Sequence, residues 1–386
     1  MSSAEAEPLS AESIDAALAE FVDRREIPGV LAAVTDNDRI VYTCAQGLAS
    51  RRGGIAMAPD TIFRIASMTK PITSIAIMML VDEGKVDLDA PLSRYLPDYH
   101  QPNVLVSFDL QTGDYRTRPA HSDITIRQLM THTGGYGTWF LDERLLQLVD
   151  GQPDLLNAPF LLDEPGTRFR YSTSTDVLAQ IIEPVSGLPI DQFFARRIFG
   201  PLGFRDTSFS LPDATDRLAS VFRRVDDGFE ELETEAEGSP PRGGGGLYST
   251  AGDYCRLLRL LLNKGEHQGA RILSEAACET MLQNQIGDLS AQVQTTAVPA
   301  RSNDFIFMNG TQKFGLGFAL ESIDQPTGRP AGTASWAGIY NTWFWLDPVN
   351  EFGAVVMMQT QPFADAYCVE LYRSFERTLY DCLFSA

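Results

Sequence analysis

Strand-forming sequence is concentrated towards the two ends of this chain and is scarce in its middle, and that distribution constrains the fold most. Near the start, "GVLAAVTDNDRIVYTCAQG" (residues 29–47) is two β-rich runs around Asp36-Asn37-Asp38, a hairpin pattern. Near the end, residues 314–321, 333–338, 341–346 and 352–359 read as strands. Between them, residues 125–131, 141–149, 173–186 and 190–199 read as helices, 217–235 as strand and loop, and 99–123 as a long loop with room for a short hairpin. Helices are also expected at 10–24, 67–83, 250–263, 274–283 and 363–383. In the first of these Ile14, Leu18, Phe21 and Val22 share one face. Strands from both ends are most simply joined in one antiparallel sheet, with the helical middle inserted and a cleft between the two. At 386 residues the chain exceeds the roughly 250–300 at which single cores stop growing. The expected fold class is therefore α+β, with one discontinuous lobe (1–85 and 238–386) and one mainly helical lobe (86–237).

Composition removes several functions. The formal charge of −20 repels phosphate backbones and anionic lipid surfaces, so neither nucleic acid nor a membrane is an expected partner. No run of 18 or more apolar residues is present, and "MSSAEAEPLSAESIDAALAEF" has neither a basic start nor an apolar core of a secretion signal. Cys44, Cys255, Cys278, Cys368 and Cys382 are odd in number and far apart, as free thiols in a reducing compartment would be. The expected location is cytoplasmic. His100, His121 and His267 are isolated, no metal-ligand spacing occurs, and neither a metal nor a cofactor is expected. The sequence leaves the oligomeric state open.

The stretch "FRIASMTKPITS" (residues 63–74) carries the chemistry. A serine hydroxyl is a poor nucleophile until a base within hydrogen-bond reach takes its proton. Residues three apart on a helix share a face, so Ser67 and Lys70 would present their side chains together, Ser67 where free N–H groups can hold an oxyanion. Lys70 can act as a base only when uncharged, which requires burial or a neighbouring cation. Pro71 fits a purely structural helix poorly, a local irregularity of the kind functional sites show. Alone, Ser-x-x-Lys is a weak signal, because an N-cap serine followed by a surface lysine gives the same pattern.

The context is specific. "IFRIASMTKPITSIAIMMLVDEGKVDLDAPLSRYLPDY" resembles the nucleophile helix of the serine β-lactamase and penicillin-binding-protein superfamily, with class C β-lactamases and family VIII carboxylesterases as the nearest likeness. "ITIRQLMTHTGGYG", "YSTSTDVLAQIIEPVSGLPIDQFFARRIFGPLGF", "GGGGLYSTAGDYCRLL" and "AGTASWAGIYNTWFWLDP" extend it in family order from about Gly29 to Val356. The resemblance implies a β-lactamase/DD-peptidase-like fold, Ser67 as nucleophile and Lys70 as its partner. It also implies that Tyr171 is the tyrosine whose phenolate joins in proton transfer. Trp336-Ala337-Gly338 stands where lactamases carry Lys-Thr-Gly and is similar to the esterase variant. The N–H groups of Ser67 and Ile339 would then form the oxyanion hole. Thr173 replaces the lactamases' asparagine and Trp336 their lysine. Both lost groups would bind the amide and carboxylate of a β-lactam or peptide.

The function this implies is hydrolysis of small or short-chain carboxylic esters through an acyl-enzyme on Ser67, with weak β-lactam hydrolysis as a side activity. The expected partner is a small-molecule ester. Acyl transfer to an alcohol, β-lactamase or D-aminopeptidase activity, and a non-catalytic ligand-binding homologue are the alternatives. Tyr136, Trp139, Phe140, Tyr340, Trp343 and Phe344 are candidates to line the acyl or alcohol pocket, about half of them core instead. His132 reads as structural, since no G-x-S-x-G elbow accompanies it. "RGGGGLYS" reads as a tight loop beside the cleft, and the acidic run at 230–237 as a solvated face.

Overall fold

A computed structural model of the chain describes residues 11–149, 159–211, 215–226, 228–232, 240–305 and 308–384. Most of the acidic run and the first ten residues, on which the absence of a secretion signal was read, lie outside them. Strands β1 (Gly29–Thr35), β2 (Ile40–Ser50) and β3 (Ile55–Ala56) come from the start of the chain. Strands β4 (Lys313–Phe314), β5 (Ala319–Leu320), β6 (Ala334–Gly338), β7 (Thr342–Asp347) and β8 (Phe352–Met357) come from its end. They form one antiparallel sheet in the order β4-β5-β6-β7-β8-β1-β2-β3. The seam joins β1 to β8, from Leu31 opposite Met357 to Thr35 opposite Gly353. The fold is that of the β-lactamase and penicillin-binding-protein class, α+β with helices against an antiparallel sheet.

The central strands are apolar without alternation because both faces are covered. All seven residues of β1 are buried. Helix α1 (Ala11–Asp23) precedes the sheet, α2 (Thr69–Asp82) follows its first strands, and α3 (Ala251–Leu262) and α4 (Ala366–Phe384) belong to the final third. Helix α3 packs against β1 and β8, while α1 and α4 pack together on the other face. Successive residues of β7 point to opposite faces, so Phe344 meets Tyr254 of α3 at 5.0 Å between ring centroids and Trp345 meets Phe375 of α4 at 5.8 Å.

Helix α2 is buried from Thr69 through Leu80. A helix apolar on every side is a central one, and α2 packs against the short helices Ser174–Ala179 and Ile182–Ser186 of the middle region. Residues 99–123 contain a hairpin, Asn103–Phe108 paired with Tyr115–Pro119. Phe222–Val225 pairs with Gly228–Glu231 and with Thr360–Gln361 beyond β8.

Two elements depart from the sequence reading. Residues 314–321 are not one strand but β4 and β5, turned at a glycine-containing loop in which Gly317 has φ +98°. Residues 173–186 are not one helix. Pro184 cannot donate to the Gln180 carbonyl, and the chain re-enters helix at Ile182, with the proline in its first turn where no donor is needed.

Candidate active site

Ser67 sits in a 3₁₀ turn, Ala66–Met68, that leads directly into α2. Ala66 has φ +43°, a conformation L-residues rarely adopt, and so turns the chain sharply just before the serine. The turn is pinned from both sides: Ile65 N–H donates to Leu247 O (3.1 Å), and Tyr254 Oη donates to Met68 O (3.0 Å). Lys70 follows three residues later in the first turn of α2, on the face that meets Ser67. Pro71 is no irregularity here. Helix α2 starts at Thr69, so Pro71 lies in its first turn, where its missing N–H is not needed.

Two groups converge on the Ser67 hydroxyl. Tyr171 Oη shares a hydrogen bond of 2.6 Å with Ser67 Oγ, and Lys70 Nζ donates to the same oxygen at 3.1 Å. Lys70 Nζ also donates to Gly244 O at 2.7 Å and lies 5.0 Å from the Tyr171 ring centroid. Lys70 and Tyr171 are both buried, each 5% exposed, so the proton-transfer pair is shielded from water. Among the described residues Lys70 has no carboxylate within ion-pair distance.

The glycine-rich loop is part of this apparatus. Gly244 N–H donates to Asp176 Oδ1 (2.8 Å), and a Cβ on Gly244 would fall 2.5 Å from the other carboxylate oxygen. Thr73 Oγ1 donates to Gly243 O (2.7 Å), tying the loop to α2. Asp176 thus fixes the carbonyl that fixes Lys70. Asp176→Ala is expected to lower kcat for an ester substrate about 10- to 100-fold with little change in KM, because a sub-ångström shift of a catalytic group costs that much. Steady-state kinetics on the folded variant read this; a change confined to stability would show Asp176 to be a scaffold residue alone.

Strand β6 closes the other side. A Cβ on Gly338 would lie 2.3 Å from both Ile65 O and Thr342 Oγ1, so glycine here permits the strand end to touch the nucleophile turn, not only a substrate. The Ile339 N–H, just beyond β6, donates to no protein acceptor among the described residues. Ser67, Phe140, Tyr171, Phe305, Trp336, Ala337, Gly338, Ile339 and Phe363 line a narrow, mainly apolar cavity. Trp336 packs against Tyr171 at 5.2 Å and edge-on to Phe314 at 5.4 Å, and its buried indole N–H has no partner.

Ser67, Lys70, Tyr171, Trp336, Ala337, Gly338 and Ile339 are thus brought together. Tyr136, Trp139 and Thr173 are not part of this cavity wall. Trp139 and Thr173 line a separate small cavity with Leu145, Leu148 and Pro159, and Tyr136 is buried, its phenol pushed up by burial. Of the remaining aromatic candidates Phe140 lines the cavity and Tyr340 is half-buried beside Ile339. Trp343 stacks on Phe363 and Tyr372, and Phe344 is core. Sequence reasoning missed Phe305 and Phe363, and also Gln294, whose Oε1 accepts from Tyr171 N–H at 3.2 Å. His132 packs edge-on to Tyr171 at 5.0 Å, with Nδ1 3.2 Å from Ser172 Oγ and no contact with Ser67. Burial, then the Lys70 charge, holds its pKa well below the usual value, so it is a neutral packing element. No cluster of three or more metal-ligating side chains occurs among the described residues.

A serine hydrogen-bonded by a lysine and a tyrosine in this fold is the arrangement of a serine hydrolase. The chain belongs to the Beta-lactamase family, whose pattern it matches over residues 14–377. It is similar to monacolin J acid methylbutanoyltransferase of Aspergillus terreus, with 29% identity over 95% of both chains. It is also similar to esterase EstB of Burkholderia gladioli, with 29% identity over 86% of both chains. The structure of simvastatin synthase (LovD) from Aspergillus terreus superposes with a TM-score of 0.83 at 26% identity, over 100% of both chains. Esterase and acyltransferase relatives together support chemistry through an acylated serine.

Proposed function

We propose that this protein is a serine carboxylesterase acting on small or short-chain esters. The observation that carries the reading is the Ser67 oxygen, held by Tyr171 Oη at 2.6 Å and Lys70 Nζ at 3.1 Å on the wall of a narrow apolar cavity. In the first step Ser67 Oγ attacks the ester carbonyl carbon and its proton passes to the Lys70–Tyr171 pair. The carbonyl oxygen, now anionic, is held by the N–H groups of Ser67 and Ile339. The tetrahedral species collapses as the C–O bond to the alcohol breaks, and the alcohol leaves with the proton returned through Tyr171. Water then attacks the acyl-Ser67 ester, gives its proton to the same pair, and releases the acid as Ser67 regains its hydrogen. The narrow apolar cavity beside Ser67 favours a small acyl group.

The lactamase reading is weaker because Trp336 and Thr173 stand in place of groups that would bind a β-lactam. The discriminating measurement is kcat/KM for p-nitrophenyl butyrate against nitrocefin, expected to favour the ester by at least about 100-fold. The acyl-enzyme itself is tested by a fluorophosphonate probe, with the mass increase expected on the peptide containing Ser67. Labelling elsewhere, or none, would overturn the reading. Acyl transfer is the second reading, supported by the transferase relative. It predicts that added short alcohols divert the acyl group to a new ester at the expense of free acid.

The expected partner is a small-molecule ester, with the −20 charge opposing nucleic acid. A cytoplasmic location is supported by five cysteines that form no disulfide. No helix among the described residues is long and apolar enough to cross a membrane.

A further inference from the structure

The opening of the catalytic cavity is formed by half-buried groups, Phe140, Ile339 and Ser67, with Tyr340 beside them. One charged side chain stacks on the rim residue Phe140. The guanidinium of Arg301 lies over the Phe140 ring at 5.6 Å and over the Trp139 ring at 5.1 Å. Its backbone carbonyl accepts from the N–H of Phe363 (3.0 Å), another wall residue of the cavity. Arg301 is therefore held to the catalytic cavity at two walls, by side chain and by main chain.

Arg301 has no counter-ion among the described residues. Arg170 sits on Asp163, Arg224 on Asp365 and Arg329 on Glu376, while Arg259, also without a carboxylate partner there, donates to Thr35 Oγ1 at 3.0 Å. Among the described residues no carboxylate lies within ion-pair distance of Arg301, its guanidinium makes no hydrogen bond, and its Nε is buried without a partner. The charged and titratable groups whose fields reach it are Tyr340, Arg242 and Tyr171, none of them a carboxylate, and burial draws its pKa down. Leaving a half-buried cation unpaired is costly in a chain with 51 acidic residues to choose from. The cost is recovered when an anion arrives, and a guanidinium fork matches a carboxylate. The nearby Arg242 is paired with Asp176 at 3.4 Å.

We infer that Arg301 is a specificity-determining residue that recognises a carboxylate on the substrate, so that the preferred substrates are esters carrying a free acid group. This inference rests on the acyl-enzyme reading and narrows its substrate class. The lysine missing at Trp336 is thereby replaced by a cation on the opposite wall, reached past Phe140.

The test uses two matched pairs, since the acid could belong to either half of the ester. One pair is 4-acetoxybenzoate and its methyl ester; the other is mono-4-nitrophenyl glutarate and its methyl ester. The quantity read is the kcat/KM ratio of acid to methyl ester, in which any unfolded fraction cancels. In at least one pair the wild-type ratio is expected to fall about 10- to 100-fold in Arg301→Gln, with Arg301→Lys intermediate. Ratios unchanged within threefold in both pairs would overturn the inference. A second measurement is independent of turnover: benzoate is expected to quench Trp139 fluorescence saturably at concentrations at least tenfold below benzamide. That difference should vanish in Arg301→Gln. Equal affinity for benzoate and benzamide in the wild type would count against Arg301. Failure to cleave any of the four esters, with benzoate selectivity intact, would instead remove the acyl-enzyme reading and leave the anion site standing.

Discussion

Ser67→Ala is expected to abolish ester hydrolysis, with kcat for p-nitrophenyl butyrate falling by about 10⁴ to 10⁶. The size follows from the site having one nucleophile. Tyr171 Oη and Lys70 Nζ are both hydrogen-bonded to the Ser67 oxygen, and the other side chains around the cavity are apolar or aromatic. Removing that oxygen removes the atom that would be acylated, and water bound in its place lacks the covalent route. Stability should hardly change. Lys70 keeps its hydrogen bond to Gly244 O, and Ser67 is only half-buried. The melting temperature should therefore match the wild type while fluorophosphonate labelling disappears. Turnover within tenfold of the wild type, in protein shown free of wild-type carry-over, would end the acyl-enzyme reading.

Much of this site was legible because its members lie in short, patterned blocks. Ser67 and Lys70 are three apart on one turn, and Tyr171, Trp336 and Gly338 each stand inside a stretch resembling one family. The joining of the two chain ends was legible from the placement of β-rich runs, because a sheet buried on both faces has uninterrupted apolar strands such as β1. The aromatic candidates were harder. Trp139, Trp343 and Phe344 are chemically suited to a substrate pocket, yet strand alternation sends Phe344 towards α3 and Trp343 onto Phe363 and Tyr372. Composition does not say which face of a strand meets the cleft. Asp176 was missed for a related reason. Its role passes through a main-chain atom, the Gly244 N–H, which leaves no side-chain signature in the sequence. The available signal was the lone acid that ends the Ser-Thr-Ser-Thr run after Tyr171, together with the row of four glycines at 243–246. Phe305 comes from a segment with no strand or helix pattern and Phe363 from the start of the helix expected at 363–383, and only tertiary folding brings them to Tyr171.

The proton-transfer pair makes the second large prediction. Tyr171→Phe removes the oxygen 2.6 Å from Ser67 Oγ and leaves the ring packed against Trp336 and His132. It is expected to lower kcat by about 10³, and Lys70→Met by a similar or larger factor, since general-base contributions are typically about 10²–10⁴. The informative variant is the double one. Both groups serve one proton on one oxygen, so once either is lost the other has no route to complete. Non-additivity is the signature of residues that act as a unit. The double variant should fall within about tenfold of the worse single variant rather than to the product of the two losses. Losses that multiply would mean that tyrosine and lysine act in separate steps, one on Ser67 and the other on the leaving alcohol or the deacylating water. A Tyr171→Phe enzyme that keeps more than a tenth of wild-type kcat would assign the proton to Lys70 alone. Tyr171 would then serve as a wall of the cavity, a role its burial and its ring contacts already satisfy.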